Sequence, residues 1–217
     1  MRRKAKRRIT WCQRMSARHV GTPKIRSLYS VLWTWTGLLR TTARGWVAED
    51  DCMWWYTERA LVGTLAAASW LNGGQALEEY SNRKGRDANK YEGRCDLYLD
   101  TGSSEFVAEA KLHWCNVGVN SRTGINGAKK KLRAACDEAR MLTGYGARRL
   151  GMVFIVPQYP WSQRSQSFQL LSAWQTELMK LRVGALAWSL PVAARDLRVR
   201  GYVYPGVAVI VREVGRG

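Results

Sequence analysis

Apolar and polar positions change period several times along the chain, and each change marks an element. Trp54, Trp55, Leu61, Val62 and Leu65 recur at helical spacing, which predicts a helix running from the Glu49-Asp50-Asp51 acids through Leu71 and stopped by Asn72-Gly73-Gly74. Residues 75–81 read as a strand and residues 82–90 as a polar, basic loop. Two alternating segments, 93–100 and 105–114, flank a Thr101-Gly102-Ser103-Ser104 turn and predict a β-hairpin. Residues 115–126 are rich in Gly and Asn and read as a loop. Leu132, Ala135, Cys136, Ala139 and Leu142 then give the core face of a helix over 127–142. Residues 149–156 form a nearly continuous apolar run closed by Pro157, the mark of a buried parallel strand. A helix over 168–181 and strands over 185–190 and 202–212 complete the chain.

From Glu49 the order is helix, strand, strand, strand, helix, strand. This predicts an α/β fold with a mixed central sheet flanked by helices, divided into an N-terminal extension (1–47), a core (48–157) and a C-terminal α/β layer (158–217). The extension mixes Arg with Trp11, Tyr29, Trp33 and Trp35, an interleaving able to stack on bases. The run from Val31 to Trp35 reads equally as a core strand or helix.

Charge narrows the partners. The 217 residues carry a net charge of +18, and residues 1–48 hold 12 of the 35 Lys and Arg with none of the 17 Asp and Glu. The remainder keeps 23 basic residues against 17 acidic ones. Such a balance selects a polyanionic partner, because proteins that hold nucleic acid neutralise its phosphates with Lys and Arg. Arg2, Arg3, Lys4, Lys6, Arg7 and Arg8 form a basic arm; Lys84 and Arg86 lie in the basic loop, and Lys129 and Arg133 lie along the later helix. All are candidate phosphate contacts. Five widely spaced cysteines without a Cys-x-x-Cys argue against zinc or a disulfide framework and for a reducing, cytoplasmic setting. No apolar run reaches the roughly 18–20 residues that span a bilayer, so no membrane partner is expected.

The hairpin carries the candidate chemistry. In its second strand Val107, Glu109, Lys111 and His113 share one face, with Phe106, Ala108, Ala110 and Leu112 on the other. In the first strand alternation groups Asp96 with Arg94 and Tyr98, and Cys95 with Leu97 and Leu99, so pairing brings Asp96 towards Glu109. Two carboxylates and an ammonium then converge. Hard oxygen ligands of this kind suit Mg²⁺, which keeps several waters and accepts phosphate oxygens. Glu58 stands at the edge of the preceding helix's buried face, where a carboxylate needs a partner. It is either a capping or salt-bridged residue or a third acid aimed at the site. Without a metal, the hairpin reads as a surface element with a cross-strand ion pair.

Asp96, twelve intervening residues and Glu109-Ala110-Lys111 resemble the motif of the PD-(D/E)xK nuclease superfamily, with Cys95 where the family usually has proline. The helix and strand order over 48–156 resembles its αβββαβ, restriction-endonuclease-like core. The resemblance implies a metal-dependent nuclease acting on phosphodiester bonds, with DNA the expected substrate. Asp96, Glu109 and the Ala110 carbonyl would hold Mg²⁺, with Mn²⁺ as a substitute. Lys111 would position the attacking water, and Glu58 corresponds to an acid that the first helix of the family often supplies. Gln158 and His113 are weaker candidates, His113 reading better as structural. Homodimers that cut two strands are common among such nucleases. A nucleic-acid-binding protein without catalysis on the same fold is the alternative, and a basic component of a ribosome or virion is the third.

Overall fold

A computed structural model describes residues 25–85, 90–117, 121–143 and 146–215. The first described helix, α1 (Leu28–Trp46), is a core element. Leu28, Val31, Leu32, Trp35 and Leu39 are buried, and Trp35 Nε1 donates to Thr64 Oγ1 at 2.9 Å. Of the aromatic residues singled out in this region, Trp33 remains exposed and Trp35 is fully enclosed.

The next helix, α2 (Glu58–Leu71), begins later than the apolar stripe predicts. Asp50 takes a left-handed backbone, and the Asp51 carboxylate accepts the Cys52 N–H (2.6 Å) and the Tyr56 hydroxyl (2.7 Å). Local side-chain acceptors of this kind compete with helical hydrogen bonding. Met53–Trp55 is therefore a separate 3-10 turn, pinned by Trp54 Nε1 on the Tyr204 carbonyl at 3.0 Å. Glu58 becomes the first residue of α2.

Strands β1 (Gln75–Lys84), β2 (Tyr91–Asp100), β3 (Glu105–Asn116) and β4 (Arg148–Pro160) follow, with helix α3 (Ser121–Met141) between the last two. After helix α4 (Ser167–Met179) come β5 (Ala185–Ser189), the two-residue strands β6 (Arg198–Val199) and β7 (Tyr202–Val203), and β8 (Val207–Val214). The predicted 202–212 strand is thus two strands, broken at Pro205 and Gly206, where Gly206 adopts φ 154° against the Ser189 carbonyl. The eight strands of the described residues form one open mixed sheet. β1, β2 and β3 are antiparallel neighbours, β3 and β4 are parallel, and β8 lies antiparallel between β4 and β5. The β6–β7 hairpin joins the far end of β4.

β4 shows why its sequence is almost uniformly apolar. Leu150, Met152, Phe154 and Val156 pack in the cluster that contains α1 and α2, while Val153 and Ile155 pack in the cluster that contains α3 and α4. Both faces of the sheet are covered, as in parallel α/β architecture.

α3 starts six residues before the predicted position. Its glycines line the helix face that meets the sheet. A β-carbon on Gly124 would come within 2.5 Å of Cys115 Sγ, and one on Gly127 within 2.5 Å of the His113 ring. From the other side, a β-carbon on Gly151 of β4 would lie 2.7 Å from the Cys136 backbone nitrogen. Glycine here permits close contact between helix and sheet. All four described cysteines are buried free thiols.

Candidate functional site

The paired part of the predicted hairpin is short. β2 pairs with β3 only from Leu97–Ala108 to Asp100–Glu105, and beyond that point the strands diverge. Opposite Asp96 on β1, Glu79 takes a left-handed backbone (φ 50°) and leaves the β1–β2 register. Strict alternation fails here. Cys95 packs with Tyr80, Tyr98 and Val107 on the α3 side, whereas Leu97 and Leu99 pack under α2, which corrects the expected grouping of Cys95 with those leucines. The irregularity leaves Asp96 free to turn into the fork. A non-glycine residue held at positive φ stores strain, and such residues cluster where function fixes geometry.

Beyond Ala108, no strand among the described residues neighbours β3 on its β2 side. Two carboxylates stand at the backbone groups that a strand would otherwise bind. Asp96 Oδ2 accepts the Ala110 N–H at 2.7 Å, and the Glu58 carboxylate, at the start of α2, lies near enough to the Leu112 N–H for that group to lower its pKa. Between these two carboxylates Lys111 projects towards α3, where its Nζ donates to Glu138 Oε2 at 2.6 Å. Glu109, 1% exposed, points the same way and meets Lys84 Nζ at 2.7 Å from Oε1, as an ion pair without hydrogen-bond angles. The predicted Glu58, Asp96, Glu109 and Lys111 therefore converge, joined by Lys84 and Glu138.

Electrostatics follow from crowding. Burial pushes the Glu109 carboxyl up to about 7, with the Asp96 and Glu138 charges acting in the same direction and Lys84 against it. Burial likewise raises Asp96, opposed by the Ala110 N–H, Lys111 and Lys84. It raises Glu58 too, where Lys111 opposes and Asp96 reinforces the shift. For Lys111, burial works to lower the pKa, but the Glu138 bond and the charges of Glu138, Glu58 and Asp96 carry it above the ordinary value. Lys111 is an ammonium at neutral pH.

Lys84 departs from its expected role. β1 continues through it instead of ending before a loop, because Lys84 pairs with Tyr91 and the Asn82 side chain ties β1 to Thr143 at the end of α3. Its side chain is 14% exposed and turned inward. Lys129 and Arg133 remain exposed on α3, outside the carboxylate cluster. Arg2, Arg3, Lys4, Lys6, Arg7, Arg8 and Arg86 lie outside the described residues. His113 is structural: Nε2–H donates to the Gly124 carbonyl at 2.8 Å, and burial holds the ring below its ordinary pKa. Gln158 donates to Asn116 Oδ1 at 2.7 Å, on the surface.

Glu138 is the residue that sequence reasoning missed. It and Asp137 are the only acids of α3, and Asp137 is taken by Arg140. Glu138 also stands three residues after Ala135 and one before Ala139, both fully buried, so it lies beside the helix face that meets the sheet.

The donors fit a hard divalent cation by chemistry, being carboxylate oxygens crowded in a half-buried fork. Among the described residues, however, no three His, Cys, Asp or Glu side chains already stand together as a metal-binding group. None of the described helices is long and apolar enough to cross a membrane. No protein-family model, no curated protein and no solved structure matches the chain.

Proposed function

We propose that this protein is a divalent-metal-dependent nuclease that hydrolyses phosphodiester bonds, with DNA the foremost substrate, on a restriction-endonuclease-like PD-(D/E)xK core. The observation that carries the reading is the fork at Ala108, where Asp96, Glu109 and Lys111 converge beside Glu58. The order α2, β1, β2, β3, α3, β4 around it supports the same reading.

Asp96, Glu109 and the Ala110 carbonyl would hold Mg²⁺ or Mn²⁺. Such an ion supplies charge to a phosphoryl oxygen in transfer and acidifies a bound water. Lys111, kept protonated by Glu138, orients the attacking water and offsets charge on the phosphate. Glu58 faces the β3 edge at Leu112 and reaches the cluster as its third acid. The exposed Lys129 and Arg133 supply phosphate contacts on α3, and the basic arm adds more. A homodimer would let two such sites cut both strands.

The non-catalytic alternative has one observation in its favour: Glu109 and Lys111 are already neutralised by Lys84 and Glu138. A rigid binding platform needs no more than that. Incubation with labelled single-stranded, duplex and branched DNA and with RNA, in Mg²⁺, Mn²⁺ or EDTA, separates the two. The nuclease cuts at least one substrate only when metal is present, whereas the platform retains nucleic acid and cuts none.

A further inference from the structure

Lys84 is placed by more than charge. Its backbone pairs with Tyr91 on one side and bridges to Leu142 on the other, and Gly85 N–H donates to the Met141 carbonyl at 2.9 Å. The base of the side chain is thus clamped between β2 and the end of α3. Its stem crosses β2 at Gly93. A β-carbon there would stand 3.0 Å from Lys84 Cδ and 3.2 Å from Cγ, so glycine opens the path along which the ammonium reaches Glu109. That ammonium ends 2.7 Å from a carboxylate that is 2% exposed, with Asp96 near enough to feel its charge. A buried carboxylate such as Glu109 is costly without a compensating cation.

We propose that Lys84 is a tethered cation that neutralises the Glu109 and Asp96 carboxylates in the metal-free protein and must be displaced from Glu109 for a divalent cation to bind. The inference rests on the metal-binding reading of this site. It assigns Lys84 an inhibitory position over Glu109, cradled by Gly93. A lysine and a divalent ion cannot share one buried carboxylate oxygen without strong repulsion, so the two compete.

The test is direct Mn²⁺ binding to the full chain at mildly alkaline pH, read by the electron paramagnetic resonance of free Mn²⁺ and by calorimetry. Lys84→Met is expected to bind Mn²⁺ on the order of tenfold tighter than wild type or better. Gly93→Ala keeps the lysine but pushes its stem aside, and is expected to tighten binding by a smaller factor. Glu109→Gln, added to Lys84→Met, removes the gain. Equal or weaker Mn²⁺ binding in Lys84→Met overturns the inference and leaves the metal site standing. Absence of Mn²⁺ binding in wild type and both single variants overturns the metal site as well. If Lys84→Met does not fold, Gly93→Ala decides: unchanged binding overturns the proposal, and tighter binding supports it.

Discussion

Glu138 on α3 holds the Lys111 ammonium of β3 at 2.6 Å, across the gap between helix and sheet. The pair fixes the lysine's protonation and its direction, and it makes α3 part of the site. Glu138→Gln should therefore lower the cleavage rate by about 10- to 100-fold, the usual cost of removing a residue that orients a site group. Nucleic-acid affinity should stay near wild type. Single-turnover kinetics beside a binding titration checks this, and an unchanged rate removes Glu138 from the site.

Glu109 links the site to stability. Its folded-state carboxyl lies near 7 against an ordinary 4.5, so between those values the native protein binds a proton that the unfolded chain has released. Stability contributed by Glu109 is therefore fully present below 4.5 and is lost as pH rises through about 7. Asp96 and Glu58 are raised as well and act with the same sign. Urea midpoints of the metal-free protein should fall across this window, and Glu109→Gln should flatten the fall. Metal should reverse it, since ligation favours the deprotonated carboxylates. A midpoint rising with pH would contradict the assignment.

The position of α3 depends on Gly151. With the Cys136 backbone nitrogen 2.7 Å from where a β-carbon would lie, a larger residue must push the helix away from β4. Gly151→Val should destabilise the protein by about 1–3 kcal/mol as an overpacked core position. It should also weaken the Lys111–Glu138 contact, so activity should fall under conditions where the variant remains folded. Denaturant unfolding and cleavage measured on one preparation test both effects.

α1 is bound into the same core. Trp35 is fully buried between α2 and the sheet and bonds Thr64, with its ring 6.0 Å from Phe154. Trp35→Ala should cost about 3–5 kcal/mol. A loss under about 1 kcal/mol in urea unfolding would show that α1 contributes little to the fold.

Much of this arrangement is legible in the chain, and the gaps have physical causes. The alternation of β3, the two-faced burial of β4 and the core face of α3 follow from apolar period alone. The start of α3 does not, because Gly124 and Gly127 look like loop residues until the sheet they touch is known. The fork is hidden for a similar reason. Regular alternation carries Cys95 to the side of Leu97, and the pattern breaks opposite the left-handed Glu79. Lys84 resembles a loop lysine in a basic run, although Gly93, which gives it passage, lies nine residues further on. Glu138 needs a partner from another element before its role is visible. Local pattern predicts elements well, while the site is assembled from contacts between them.

Metal-dependent catalysis centred on Lys111 is tested most directly by comparing wild type with Lys111→Ala on the best cleaved substrate in Mg²⁺, Mn²⁺ and EDTA. Wild type should cut in either metal and not in EDTA, and Lys111→Ala should not cut at all while its affinity for the same nucleic acid stays close to wild type. Undiminished cutting by Lys111→Ala, or tight binding by wild type with no cutting in any metal, would contradict catalysis centred on Lys111.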